Sequence, residues 1–299
     1  MQTPLLAVPN VSEGRDPAVI AAIGEAFVGA GARLLDVHGD GDHHRSVYTL
    51  AGRPGELAQA LLAGVARAVQ LVDIGDGRGQ HPHVGAVDVA PIVHLGRADR
   101  GAACAEALLL ADLLGQRLRL PVLLYGDLAG GRTRAELRRG GAAELARRMA
   151  AGELRPDFGP RRLHAGAGAT LVTARPPLVA FNLELAPPAG VAQARAIAAR
   201  VREGGSDGLP GLRAIGVELT GRTPVGQVSM NVEDPLGLPL RDVAAAVAAL
   251  AAAEGARIAA AELVGLAPRA ALADFPADVP LRGFDPAAQV LEDALARIA

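Results

Sequence analysis

Lysine and tryptophan are missing altogether, and all thirty basic residues are arginine. Without lysine there is no Schiff-base chemistry and no phosphate-cradling P-loop lysine. Two tyrosines and five phenylalanines are too few for a protein that stacks single-stranded bases on aromatic platforms. The only cysteine, Cys104, rules out a disulfide framework and fits a reducing, cytoplasmic compartment. A net charge of −2 offers no basic surface to a nucleic-acid backbone, so no nucleic-acid partner is expected. No apolar run approaches about 18 residues free of charge, and the first residues, MQTPLLAVPNVSEGRD, lack a basic stretch followed by a long apolar one. Neither a membrane span nor a signal peptide is therefore predicted. Asparagine occurs only at Asn10, Asn182 and Asn231. A GC-rich genome accounts for that bias and makes each surviving asparagine of interest.

What is present is a chain that is 50% hydrophobic, enough for one large core or two ordinary ones. Residues 4–11, 33–38, 45–52 and 84–95 read as strands, and 16–31 and 53–74 as helices, with Asp16 as an N-cap and Pro54 in a first turn. The order is β-α-β-β-α-β. It recurs as strand 177–186, helix 190–205, a hairpin of 212–220 with 226–234, helix 238–256 and strand 258–268. The fold class predicted is α/β (α+β), built as two ferredoxin-like βαββαβ subdomains, 1–176 and 177–299, each one sheet with helices on one face. Between the repeats lie helix 100–119, strand 121–126, a short helix within 134–150, and the Gly/Pro stretch ELRPDFGPRRLHAGAG (153–168). That stretch reads either as a flexible linker or as an ordered surface or cleft segment. The tail 284–298 has the spacing of an amphipathic helix.

All seven histidines fall at or before position 164. His38, His43 and His44 sit at a strand end and its turn, while His81 and His83 flank Pro82 just before a strand. A zinc set of His38, His43 or His44, His81 or His83 and Asp42 fits no standard ligand spacing, so no metal is expected. A neutral imidazole with a pKa near ~6.5 can take and return a proton at physiological pH, and chain position alone does not separate His81 from His83. His94, within a strand, reads as structural. Gly14, Gly85, Gly126 and Gly216 form no GxGxxG after a strand, and Ser12 has no GxSxG context. Arg45, Arg175 and Arg213, near predicted loops, could grip carboxylates as bidentate forks or lie in solvent.

Ten motifs stand in order: VPNVSEGRD (8–16), LLDVHGDGDHHRSVYTLAG (34–52), GQHPHVGAVDVAP (79–91), PVLLYGD (121–127), LRRGG (137–141), PDFGP (156–160), GAGATLVTARPPLVAFNLEL (166–185), RAIGVEL (213–219), QVSMNVED (227–234) and ELVGLAP (262–268). Together they resemble the glutamate formiminotransferase (formimidoyltransferase) family over about residues 4–272. The resemblance implies transfer of a formimino group from N-formimino-L-glutamate to N5 of tetrahydrofolate, in histidine degradation and one-carbon metabolism. It implies folate held between two ferredoxin-like subdomains, a homodimer, tetrahydrofolate as co-substrate, and a stand-alone transferase without the cyclodeaminase domain. The family's Gly-Glu-His-Pro-Arg motif maps its catalytic histidine onto His81, the implied general acid/base. The folate-binding stretch maps onto Gly159, Pro160, Arg161, Arg162, Leu163, His164, Ala165, Gly166, Ala167 and Gly168. His38, Arg45, His83, Arg175, Asn182 and Asn231 are further groove candidates. Three positions depart from the pattern: Gln80 stands for glutamate, His83 for arginine, and His38 for an aspartate that would steady an imidazole, a role open to Asp36, Asp40 or Asp42. These departures raise two alternatives, a retuned enzyme that takes N-formylglutamate or a non-catalytic folate-binding paralogue. A metal-dependent hydrolase is a third.

Overall fold

A computed structural model describes residues 4–76, 83–219, 225–283, 285 and 288–298, and the statements below concern those residues. The chain divides into two units, Met1–Pro176 and Pro177–Ala299.

In the first unit, the predicted opening strand is two short pieces, β1 (Leu5–Ala7) and β2 (Asn10–Val11), followed by α1 (Pro17–Gly29). Asp16 caps α1 by accepting from the backbone N–H groups of Ala18 (2.8 Å) and Val19 (3.3 Å), and Pro17 supplies a first-turn residue that needs no donor. Next come β3 (Arg33–Asp40), β4 (Arg45–Gly52), α2 (Leu57–Leu71) and β5 (Val87–Val93). The sheet runs β3, β4, β1/β2, β5, all antiparallel, which is the ferredoxin-like order. Tyr48 on β4 donates its hydroxyl to the Ile20 carbonyl (2.8 Å), tying sheet to helix inside the apolar core.

The unit then exceeds the predicted repeat. After α3 (Arg100–Arg117), β6 (Val122–Leu124), α4 (Arg134–Arg138) and α5 (Gly141–Ala150), strand β7 (Thr170–Arg175) inserts parallel between β5 and β6. β7 was not anticipated, because ATLVTARPPLVAFN reads as one apolar run. Pro176 and Pro177 divide it, and its two halves serve different units. The expectation of helices on one face also fails here. Leu137, Leu145 and Met149 of α4 and α5 bury against Val89, Leu123, Tyr125 and Leu171, while Leu110 and Leu114 of α3 share the main core with Val122, Leu124 and Val172. Side chains alternate along β6 and β7, so this end of the sheet is covered on both sides. The single helix predicted within 134–150 is two, split where Gly140 (φ +76°) and Gly141 (φ +71°) take left-handed backbone.

Helix α2 starts at Leu57, not at Arg53, so Pro54 precedes it. Its opening N–H groups are met from another helix: Glu106 of α3, 4% exposed, accepts from Gly55 N–H (2.8 Å) and Ala58 N–H (2.6 Å). A buried carboxylate is tolerable there because two backbone donors and the positive helix end face it.

The second unit is the plain repeat: β8 (Val179–Leu185), α6 (Val191–Val201), β9 (Leu212–Leu219), β10 (Val225–Val232), α7 (Leu240–Ala253) and β11 (Ile258–Val264), in sheet order β11-β8-β10-β9. Val179, Phe181, Leu183 and Leu185 alternate toward Ile197 and Val201 of α6 and Val243 and Val247 of α7. Two short helices follow, α8 (Arg269–Leu272) and α9 (Leu291–Ala296). Among the described residues of the tail predicted as helix over 284–298, helix begins at Leu291. Gln289 and Leu291 instead bond Ala267 through its N–H (3.0 Å) and its carbonyl (2.9 Å). No described helix is long and apolar enough to cross a membrane.

Replacing Glu106 by Ala strands the buried Ala58 N–H and removes the acceptor of Gly55 N–H, and should destabilise the protein by about 2 kcal/mol, with Glu106→Gln losing less because one acceptor survives. Urea denaturation of both variants checks this. Equal midpoints for Glu106→Ala and the parent would show that the cap carries no weight.

Candidate functional site

Residues 77–82, with Gln80 and His81, lie outside the described residues. The chain on either side of them is described in detail. Upstream, Ile74 N–H donates to the Gly166 carbonyl (2.9 Å), and Asp73 Oδ1 accepts from Gly75 N–H (2.9 Å). Downstream, the Val84 carbonyl accepts from Ala169 N–H (2.9 Å), and Ala86 N–H donates to the Ala167 carbonyl (3.0 Å). Both flanks are thus stitched to one short stretch, 166–169, some eighty residues further on.

That stretch is built for the purpose. His164 exchanges backbone hydrogen bonds with Gly168 (3.0 and 2.9 Å), and its Nδ1 accepts from Ala167 N–H (3.0 Å). Gly168 holds φ +65°, and a side chain there would meet the Val84 carbonyl at 2.1 Å. A side chain on Gly85 would meet the Ala169 carbonyl at 1.9 Å. The two backbones therefore touch where both residues lack a Cβ. The Gly/Pro stretch is no linker between units. Phe158 exchanges backbone bonds with Val122 and packs on the first core, Arg132 pairs with Asp157, and the stretch runs straight into β7. Within it Ala167 and Gly168 are buried, Gly159 lies against Leu120, Arg161, Arg162 and Ala165 face solvent, and Pro160, Leu163, His164 and Gly166 are half-buried.

A second loop pair joins the same region. Ser12 N–H donates to the Ala86 carbonyl (2.8 Å) and its hydroxyl to the Gly85 carbonyl (2.7 Å). Beyond it, His44 Nδ1 lies 3.3 Å from Gly14 N–H and 3.4 Å from Glu13 Oε1. A neutral ring can accept from the first, and a protonated one can donate to the second. Asp40 closes the β3–β4 turn: its Oδ1 accepts from the N–H groups of Asp42 (2.7 Å) and His43 (2.9 Å), and its Oδ2 lies 3.8 Å from His43 Nε2. His38 and Arg45 sit opposite Val47 and Asp40 on that hairpin. His83 is half-buried one residue before Val84. Arg175 ends β7, where its carbonyl accepts from His94 N–H (3.1 Å) and its side chain donates to the Pro176 carbonyl (2.9 Å). His94 is buried beside β5, with Nδ1 at 3.1 Å from the Gly96 carbonyl.

Asn182 and Asn231 lie on the second unit's sheet, on the face away from α6 and α7. Asn182 is buried and donates to Glu262 Oε2 (2.8 Å), which also accepts from Gln227 (3.3 Å). Glu184, opposite Gln227, pairs with Arg282 (2.8 Å). Sequence reasoning overlooked this row of Glu184, Gln227 and Glu262. Its signal was available, since polar residues at alternate positions of three apolar strands mark a shared face. Asp88, the one carboxylate of the strand VDVAPIV, was likewise passed over.

Asp36 lies two residues from His38 on the same side of β3, and its Oδ2 is buried without a hydrogen-bond partner. Burial pushes its carboxyl above the usual carboxylate range, and His38 pulls the other way. A raised native pKa means that the folded state holds the proton more tightly than the unfolded chain, whose value is about 3.9. Stability from this group is therefore full below about pH 4 and is lost as pH rises through the raised native value. Asp36→Asn should raise the melting temperature at pH 7 by more than at pH 4. Thermal melts at both pH values test this, and a gain that is larger at pH 4 would contradict it.

The first unit's residues 5–175 match the family model described as formiminotransferase domain, N-terminal subdomain, and residues 180–277 match the formiminotransferase domain. The glutamate formimidoyltransferase of Streptococcus pyogenes serotype M1 is 33% identical over 293 residues, 96% of this chain and 97% of that protein. That of Thermoplasma acidophilum is 32% identical over 286 residues, 93% of each chain. The formimidoyltransferase-cyclodeaminase of Sus scrofa is 36% identical over 280 residues, 89% of this chain and 50% of that protein, so the chain spans half of that relative's length. Matched in order along both units, and along nearly the full length of two single-activity relatives, this chain belongs to the formiminotransferase family.

Proposed function

We propose that this chain transfers the formimino group of N-formimino-L-glutamate to N5 of tetrahydrofolate, with His81 as general acid/base. The observation that carries the reading is the stitching of both flanks of 77–82 to 166–169. It joins the two stretches that the family motifs assign to proton transfer and to folate.

The chemistry asks for one proton moved twice. N5 of the folate attacks the formimino carbon, a new C–N bond forms, and the N5 proton passes to the imidazole. In the tetrahedral intermediate the glutamate nitrogen leaves poorly as an anion. The imidazole returns the proton to it, the old C–N bond breaks, and neutral imidazole is regenerated. Residues 159–168 would lie along the folate, and Arg45 and Arg175 would serve the glutamate carboxylates as forks. His38, Gln80 and His83 differ from the family pattern and favour a second reading in which the donor is N-formylglutamate or turnover is lost. A homodimer belongs to the lead reading.

The direct test is an assay of the purified protein with tetrahydrofolate and each donor. The expected result is turnover with formiminoglutamate, a loss of about 10²–10⁴-fold in kcat for His81→Ala, and folate affinity within a few-fold of the parent. Parent-like turnover by His81→Ala would remove the residue from the mechanism. Activity confined to N-formylglutamate would replace the donor, and folate binding without turnover would favour the non-catalytic paralogue.

A further inference from the structure

Asp88, in GQHPHVGAVDVAP, and Arg138, in LRRGG, form a buried ion pair that the proposed reaction does not use. Asp88 lies within β5, with its side chain 4% exposed. Arg138, at the end of α4, reaches it from 50 positions away. The other oxygen of Asp88, Oδ1, accepts the Val84 N–H at 2.8 Å. Val84 directly follows His83. It is also held through its carbonyl by Ala169 and through its side chain by Leu137, Leu145 and Met149.

A buried ion pair is weak evidence for stability, because taking both charges out of water costs about as much as their attraction returns. An apolar residue at 88 would suit a strand whose other side chains are already apolar. What an apolar residue could not do is accept the Val84 N–H. The guanidinium aims the carboxylate through one oxygen while the second grips that backbone. Arg138 Nε is itself buried without a hydrogen-bond partner, so the arginine is committed to Asp88 at a cost to its own solvation.

We infer that the Asp88–Arg138 pair positions the backbone from His83 to Ala86. This rests on the reaction proposed above. Asp88 and Arg138 touch no reacting atom on this account and act through the backbone at 83–86. A displacement of about 1 Å at a reacting group can cost about 10²-fold in rate while leaving ground-state binding nearly unchanged. Loss of the pair should therefore appear in kcat and not in KM.

The test compares Asp88→Asn, which is of the same shape without the charge, with Arg138→Lys, which keeps a cation without the fork. Steady-state kinetics are joined to hydrogen exchange read by mass spectrometry. In Asp88→Asn the expected result is a kcat lower by about 10-fold to 10²-fold, KM for both substrates within about twofold, and faster exchange confined to peptides covering 83–86. Arg138→Lys should fall between this variant and the parent, and it carries the test alone if Asp88→Asn does not fold. Parent-like kcat in folded variants would overturn the inference. So would a rate loss accompanied by equally faster exchange throughout α3, the mark of general destabilisation. If the parent itself shows no turnover, the proposed reaction fails, and the exchange pattern alone then decides whether the pair holds 83–86.

Discussion

The first unit depends on one close approach of two backbones. Residues 84–86 and 166–169 exchange hydrogen bonds at a distance that only glycine at 85 and 168 allows. This contact joins the ferredoxin-like core to its extension, because β7 begins immediately after it and completes the sheet between β5 and β6. A Cβ at either glycine would collide with a carbonyl oxygen, and backbone cannot move aside as a side chain can.

Several carboxylates of this unit serve the backbone. Glu106 closes the start of α2, Asp88 holds Val84, Asp40 closes the β3–β4 turn, and Asp73 holds Gly75. Each satisfies N–H groups that no strand or helix can reach, which is the recurring problem where elements end. Asp36 is the exception: its Oδ2 is buried with no such donor, and its carboxyl is pushed upward accordingly. The chain concentrates its few polar groups where loops return to the sheet, the region where α/β proteins assemble reactive sites.

The motif match carries the family, and the hydrogen bonds supply a physical reason why separated motifs travel together. HVGAVDV and HAGAG are held as one structure, with SEG and DHHR attached at its border through Ser12, Gly14 and His44. In the second unit the same economy appears as a polar row across three strands, with Glu262 accepting from two amides at once.

The order of strands and helices in both repeats was legible from residue spacing, because periods of two and of about 3.6 residues are local properties. So were the helix start at Asp16 and the family motifs. Strand β7 was hidden because a proline pair inside one apolar run marks a change of unit that hydropathy does not register. The late start of α2 was hidden because its cap comes from Glu106, and the short tail helix because Ala267 takes its first residues as a bridge. By itself the sequence determined the repeated βαββαβ order and the family. Only the tertiary structure decided which loops meet, that Asp88 pairs with Arg138 and accepts from Val84, and that 153–168 belongs to the first unit. The reason is physical: a hydrogen bond between residues eighty positions apart leaves no periodic trace along the chain.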